Sequence, residues 1–405
     1  MAVFVIIELM KKHISLTNIL LGVLILSVVG AFLVWRQPSS TELAGDKGQF
    51  DTQSFTQFER GQIISVEEQR IDEALQTKTL YQRLSVKILT GSKTGEIFET
   101  DFNRLLDSKN ANELKEGDKV VLGYLPPSQS EELLFGEVAE GEYVVVDRLR
   151  TSGLLIVLGI FVLLAIVIGR RQGVFSLLGL FVAGLILIFY TAPQLLAGKD
   201  ALVISVISAG LIAIVTMFIA HGFNKRTKLA VTSTLLALVC AIGLSYLFVA
   251  LSQLFGLGQS DAFVLQSGFL GNIDLRGLLL GGLIISLLGI LDDVTATQTA
   301  AVEELAKTNP NLTRNELFWS GMSVGREHIA SLINTLILVY IGASLPLFLL
   351  IVSATNQPLW VLLNSEYMAE EIVRALSGSS ALILAVPIAT ALAVSVYQNK
   401  NSTSE

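Results

Sequence analysis

Two adjacent carboxylates, Asp292 and Asp293, follow a run that is almost wholly apolar from Gly277 to Leu291. A charged side chain in hydrocarbon costs at least a few kcal/mol, so such residues usually face a bundle interior or a water-filled path. Carboxylates placed there could relay protons or offer hard oxygen ligands to a cation. On a helix, Asp293, Thr297, Ala300 and Glu304 fall on one stripe, and Asp292, Thr299 and Glu303 on its neighbour, because residues three and four apart share a face. Both stripes continue a surface that carries Gly277, Gly281, Gly282, Ser286 and Gly289. Glycines at four-residue spacing let another helix approach closely. The expectation is an inward acid stripe with Asp293 as its principal residue. The plainer reading makes both acids the wetted end of a span.

The following apolar span adds polar residues of its own. Gly325-Arg326-Glu327-His328 opens it, and Asn334, Thr335, Tyr340, Ser344 and Pro346 lie within it. Asn334 and Thr335 can hydrogen-bond between helices. Arg326 and His328 at its start, with Pro346 and Pro387 interrupting the last two spans, are candidates for gating or for freeing carbonyls toward a ligand. Each also has a structural reading: His328 as a surface or packing residue, and the prolines as simple kinks.

These residues need a membrane bundle around them. Hydrophobic residues make up 52% of the 405 positions and charged residues 16%, with a mean hydropathy of +0.63. A soluble enzyme of this length is less apolar. Stretches long enough to cross a bilayer, about 20 residues each, occur near Thr17–Trp35, Gly153–Gly169, Val174–Thr191, Ala201–Ala220, Leu229–Leu251, Gly277–Leu291, Ile329–Ile351 and Val373–Tyr397. The expected fold is therefore an α-helical integral membrane protein of about eight spans. Residues 1–35 form a tail and signal anchor, 151–397 a seven-helix membrane domain, and 398–405 a tail. The apolar core of the first span is too long for a cleaved signal, and Val34-Trp35-Arg36 lacks a small-residue cleavage pattern. With both termini in the cytoplasm, Lys11, Lys12, Arg170, Arg171, Lys225, Arg226, Lys228, Lys307, Arg314, Arg326 and Lys400 fall inside, and only Lys199, Arg276 and Arg374 outside. That is the orientation the positive-inside rule selects.

Residues 36–150 read differently. They hold 14 Lys/Arg against 21 Asp/Glu, a formal charge of −7 equal to that of the whole chain. Leu84, Val86 and Ile88 alternate with Ser85 and Lys87, and Gly91 to Gly95 supplies a turn. Further strands fit Gln62–Val66, Lys119–Tyr124 and Tyr143–Asp147, with a turn at Leu114–Asp118 and a linker at Gln37–Gly48. A small extracytoplasmic β-barrel-like domain between spans one and two is expected. Its acidity argues against nucleic acid as a partner. The bilayer is the implied partner, with a second copy or another membrane protein beside it.

Several chemistries are excluded. No Gly-x-x-x-x-Gly-Lys-Ser/Thr run is present, so a gradient or a separate partner would have to drive transport. Three His and one Cys, Cys240, give no metal-ligand spacing and no internal disulfide. A hard cation held by Asp292, Asp293 and Thr297 is the oxygen-rich alternative. An intramembrane aspartyl protease needs carboxylates converging from different helices, whereas adjacent residues on one helix point about 100° apart. No catalytic residue and no cofactor are expected.

At these residues the chain resembles the YibE/F family of bacterial multi-pass membrane proteins. The likeness rests on Asp274-Leu275-Arg276-Gly277-Leu278-Leu279, on Gly289-Ile290-Leu291-Asp292-Asp293-Val294 with Glu303 after it, on Gly325-Arg326-Glu327-His328 leading to Asn334-Thr335-Leu336-Ile337-Leu338, and on Val386-Pro387-Ile388. It covers the region from about Gly153 onward. The family's usual Met-Asp-Val-Ala run is Asp292-Asp293-Val294-Thr295 here, so Asp293 matches the family aspartate and Asp292 replaces the methionine. The resemblance implies a multi-pass protein of the bacterial cell membrane and brings no activity with it. From the residues themselves, a transporter or permease for a small solute or ion is the leading expectation. A scaffold for envelope assembly is the alternative.

Overall fold

Apolar helices and alternating strands separate into two compact units, one within Gln49–Leu163 and the other within Leu164–Glu405. The structure, a computed structural model, describes residues 55, 57–74, 77–106, 113–125, 142–258, 274–353 and 358–398. The expected first span at Thr17–Trp35 and the linker at Gln37–Gly48 lie outside the described residues.

The smaller unit is one antiparallel sheet. Its strands are β1 (Gln57–Ala74), β2 (Thr77–Ile88), β3 (Ile97–Leu106), β4 (Lys119–Leu125) and β5 (Glu142–Arg148), in the order β3-β2-β1-β4-β5. The length of β1 lets it pair with β2 from Gly61 and with β4 up to Gln62. Leu84, Val86 and Ile88 turn inward and meet Ile63, Phe102, Val120 and Leu122, as period-two alternation requires. The Phe98 and Tyr143 rings stand 5.6 Å apart across the two edge strands, so the sheet is curled. Buried Gln82 exchanges two 3.0 Å hydrogen bonds with the backbone of Leu114 and fastens the turn that enters β4. Strand β3 adds to the strands expected from the sequence. Its alternation is masked there, because polar Thr100 is buried and apolar Ile97 is exposed.

The larger unit is helical. Its elements are α1 (Thr151–Ile186), which belongs to it from Leu164 onward, a π-turn at Leu187–Thr191, α2 (Ala192–Leu196), α3 (Ala201–His221), α4 (Lys225–Leu251), α5 (Leu275–Thr308), α6 (Arg314–Ala343), α7 (Leu345–Ser353), α8 (Leu359–Leu363) and α9 (Glu366–Tyr397). Among the described residues, six helical runs are long and apolar enough to cross a membrane, where the sequence suggested seven spans. The difference lies in Thr151–Leu196, which reads as one run but contains a break at Arg170, with φ 49° and ψ −131°. A Cβ on Gly173 would overlap the carbonyl of Ala165. On an unbroken helix residues eight apart would be about 12 Å distant, so the chain folds back here.

Two other boundaries differ from expectation. Helix α6 starts at Arg314, ahead of Gly325–His328, because Thr313 and Glu316 form a reciprocal capping box. The expected span Ile329–Ile351 breaks at Ser344, and Pro346 lies in the first turn of the new helix α7, where its missing N–H would be unbonded in any case. Pro387, by contrast, is inside α9. At the centre of the unit is α5, against which α3, α4, α6 and α9 all pack.

Candidate functional site

Small residues bring α3 and α5 together. Gly277 lies against Ala201, and a Cβ on Gly281 would overlap the Ser205 hydroxyl. These pairs share the sequence separation of Thr216 and Asp292, 76 residues, so the two helices run parallel in constant register. That register delivers the Asp292 Oδ2 to 3.5 Å from the Thr216 hydroxyl. From α4, Thr234 reaches the same place, its hydroxyl 2.6 Å from that of Thr295.

The Thr216 proton has a better acceptor than this carboxylate. Thr216 donates to the Ile212 carbonyl at 2.8 Å, a far better bond than its 3.5 Å approach to Asp292. Thr295 donates to the Asp292 backbone carbonyl at 3.3 Å. The short bond between Thr234 and Thr295 can be donated from either side. The Asp292 Oδ1 is buried and has no hydrogen-bond partner. A buried polar atom without a partner costs about 1–3 kcal/mol, more if charged. Among the described residues of the helical unit, it is the one carboxylate oxygen so placed.

A cavity of about 330 Å³ opens beside it, lined by Ser176, Gly179, Leu180, Thr216, Met217, Ala220, His221, Gly289, Asp292 and Asp293. A second hollow of about 330 Å³ follows at the end of α3, where His221, Asn224 and Arg226 line it. A wider, apolar one runs past Arg170, Arg171 and Phe175 at the break in α1. The three hollows share Ala220 and His221 in their linings, and Arg170, Arg171 and Arg226 border two of them.

The inward acid is not the expected one. Asp293, Thr297 and Glu304 are exposed, whereas Thr295 and Thr299 are fully buried and Asp292 and Glu303 are partly so. The phase of α5 is set by its apolar side, where Leu280, Leu283, Ile284, Leu287, Leu288 and Leu291 are all buried. The glycines separate in the same way. Gly277 and Gly281 are packed, whereas Gly282 and Gly289 face open space on the side of Asp293. Thr297 spends its hydroxyl on the Asp293 carbonyl at 2.7 Å. Asp293 still borders the cavity, at its mouth.

The other expected residues lie apart from this cavity. Glu303 ends the buried stripe in an ion pair with Lys307 at 2.9 Å, with Arg226 at 4.0 Å. Asn334 and Thr335 are exposed on α6, and Thr335 bonds back to the Ser331 carbonyl. Arg326 is exposed over the Trp319 ring, and His328 is half-buried with an unpartnered Nε2. Pro346 is exposed and Pro387 half-buried.

Residues without a signal in the sequence do more to hold the site. Gln298, buried on α5, donates to the Gly321 carbonyl of α6 and to Thr390 Oγ1 of α9, both at 2.8 Å. At the far end of α9, Glu366 accepts from the backbone of Phe255 and Leu257, and Glu370 from Gly258. Thr216 is a lone threonine in an apolar run and Thr234 the last of a Thr232-Ser233-Thr234 run, and nothing local singles either out. Only the parallel register of α3 with α5 marks Thr216.

The model of the YibE/F-like protein family matches residues 157–399, more than half of the chain and the whole of the helical unit around this site. The chain belongs to the YibE/F-like family. No curated protein and no solved structure matches it. Family membership accords with a protein of membrane-crossing helices.

Proposed function

We propose that this YibE/F-like protein is a membrane transporter or permease for a small solute or ion, with its path running past Asp292. The observation that carries the reading is the unpartnered Asp292 Oδ1, buried among apolar helices next to an open hollow between α1, α3 and α5. Ionisable groups at such positions mark ion pathways and proton relays. Counting the fold-back at Arg170 as a turn between two spans, and adding the expected anchor, gives about eight spans. Both termini are then cytoplasmic, and the β unit is extracytoplasmic, in a bacterial cell membrane. A scaffold role is the second reading, favoured by a β unit with a core of its own.

Purified protein in sealed liposomes tests the first reading. Under an imposed gradient, sodium, protons or one of a panel of amino acids and sugars should cross faster than in empty liposomes. Equal rates for every one of these would remove the transport reading.

A further inference from the structure

We propose that the oxygens around Asp292 form a binding site for a small monovalent cation, sodium by class, which exchanges with a proton carried on the Asp292 carboxyl. The inference deepens the transport reading and rests on it for its purpose, but its test reads binding alone.

The donors at hand are all oxygen: the Asp292 carboxylate with the Thr216 hydroxyl beside it, and the paired Thr234 and Thr295 hydroxyls at the Asp292 backbone. Oxygen donors of this kind suit hard cations and offer nothing to soft metals. One inward carboxylate balances one positive charge, because Asp293 turns its side chain to the exposed side. A divalent ion would be left half-neutralised, and an anion would be repelled. Small size follows from the close approach of α3 to α5 through Gly277 and Gly281.

The arrangement of protons points the same way. Thr216 makes its shorter hydrogen bond to Ile212, and its 3.5 Å approach leaves Asp292 without a strong donor. A carboxylate with one oxygen buried and unpartnered lacks the donors that would stabilise its charge, and a proton or a cation would supply the missing positive centre. Cation binding to a protonated ligand releases the proton: the carboxylic acid and a sodium ion become a sodium carboxylate and a free proton, with charge conserved. The charged and titratable groups near this exchange are Asp293 on α5, His221 on α3 and Arg226 on α4, with Arg171 of α1 at the adjoining hollow. On the α9 side, the apolar Leu382 and Val386 share a buried cluster with Leu291.

Thermal unfolding of the full chain in detergent decides the matter. At pH 8, sodium chloride should raise Tm in a saturable way, beyond choline chloride at equal ionic strength. At pH 6 the half-maximal concentration should rise several-fold, and adding sodium to weakly buffered protein should release protons. Asp292→Asn should lose both responses, and Asp293→Asn should keep them. Should Asp292→Asn not fold, Thr216→Val keeps the carboxylate, and it should shift the half-maximal sodium concentration upward. No sodium-specific rise in the wild-type chain, or an undiminished one in Thr216→Val and Asp292→Asn, would overturn the site. A sodium response without any flux in liposomes would instead keep the site and remove the transport reading.

Discussion

At the residue scale, the two acids of α5 lie on different sides of the helix, Asp292 partly buried toward Thr216 and Asp293 exposed. Adjacent carboxylates in an apolar run announce themselves, yet which one turns inward depends on helix phase. Glycines from two faces of α5 merge into one apparent stripe when read along the chain. Gly277 and Gly281 are packed against α3, whereas Gly282 and Gly289 are open. Taking all four as one face put Asp293 inside. Gln298 was equally hidden, since nothing local shows that its amide meets Gly321 and Thr390 on two other helices. Interhelical hydrogen bonds in membranes are worth about 0.6 kcal/mol on average and up to about 1.7. Gln298→Ala should therefore lower stability by roughly 1–2 kcal/mol, read as a reduced Tm at unchanged membrane insertion. An unaltered Tm would show that the three-helix tie is not structural.

At the element scale, helix boundaries were read from hydropathy and corrected by capping and packing. Thr313 and Glu316 start α6 well before its apolar part begins, a polar signal that hydropathy windows discard. Along α6, a Cβ on Gly325 would meet Val386 and the Gln298 amide. Gly325→Leu should therefore push α6 from α5 and α9, with a large loss of folded protein by fluorescence size-exclusion profile, while Gly342→Leu, in open space, should behave as wild type. In the sheet, the Tyr81 phenol and the Arg83 guanidinium hold the Asp101 carboxyl below its ordinary range. A depressed carboxyl contributes its stability above the ordinary value, about 3.9, and loses it as pH falls through the lowered one. The segment Gln49–Arg150 should melt cooperatively as a β-rich module, with Tm falling at acid pH, and Asp101→Asn should flatten part of that acid limb. A helical or non-cooperative circular dichroism signal would contradict the independent unit, and an unchanged acid limb would contradict the role of Asp101.

At the scale of the whole molecule, composition made the membrane class evident, and the family match agrees with it. Sidedness was legible only as a charge count. A reporter placed after Lys400 should be active in the cytoplasm, and one inserted near Ser128 active outside. The opposite pattern would invert the orientation. The central claim is that transport runs past Asp292, and paired variants in sealed liposomes test it most directly. With equal insertion verified, Asp292→Asn should reduce sodium or proton flux at least tenfold, while Asp293→Asn, at the mouth of the cavity, should retain most of it. Full flux in Asp292→Asn, or loss confined to Asp293→Asn, would contradict the claim.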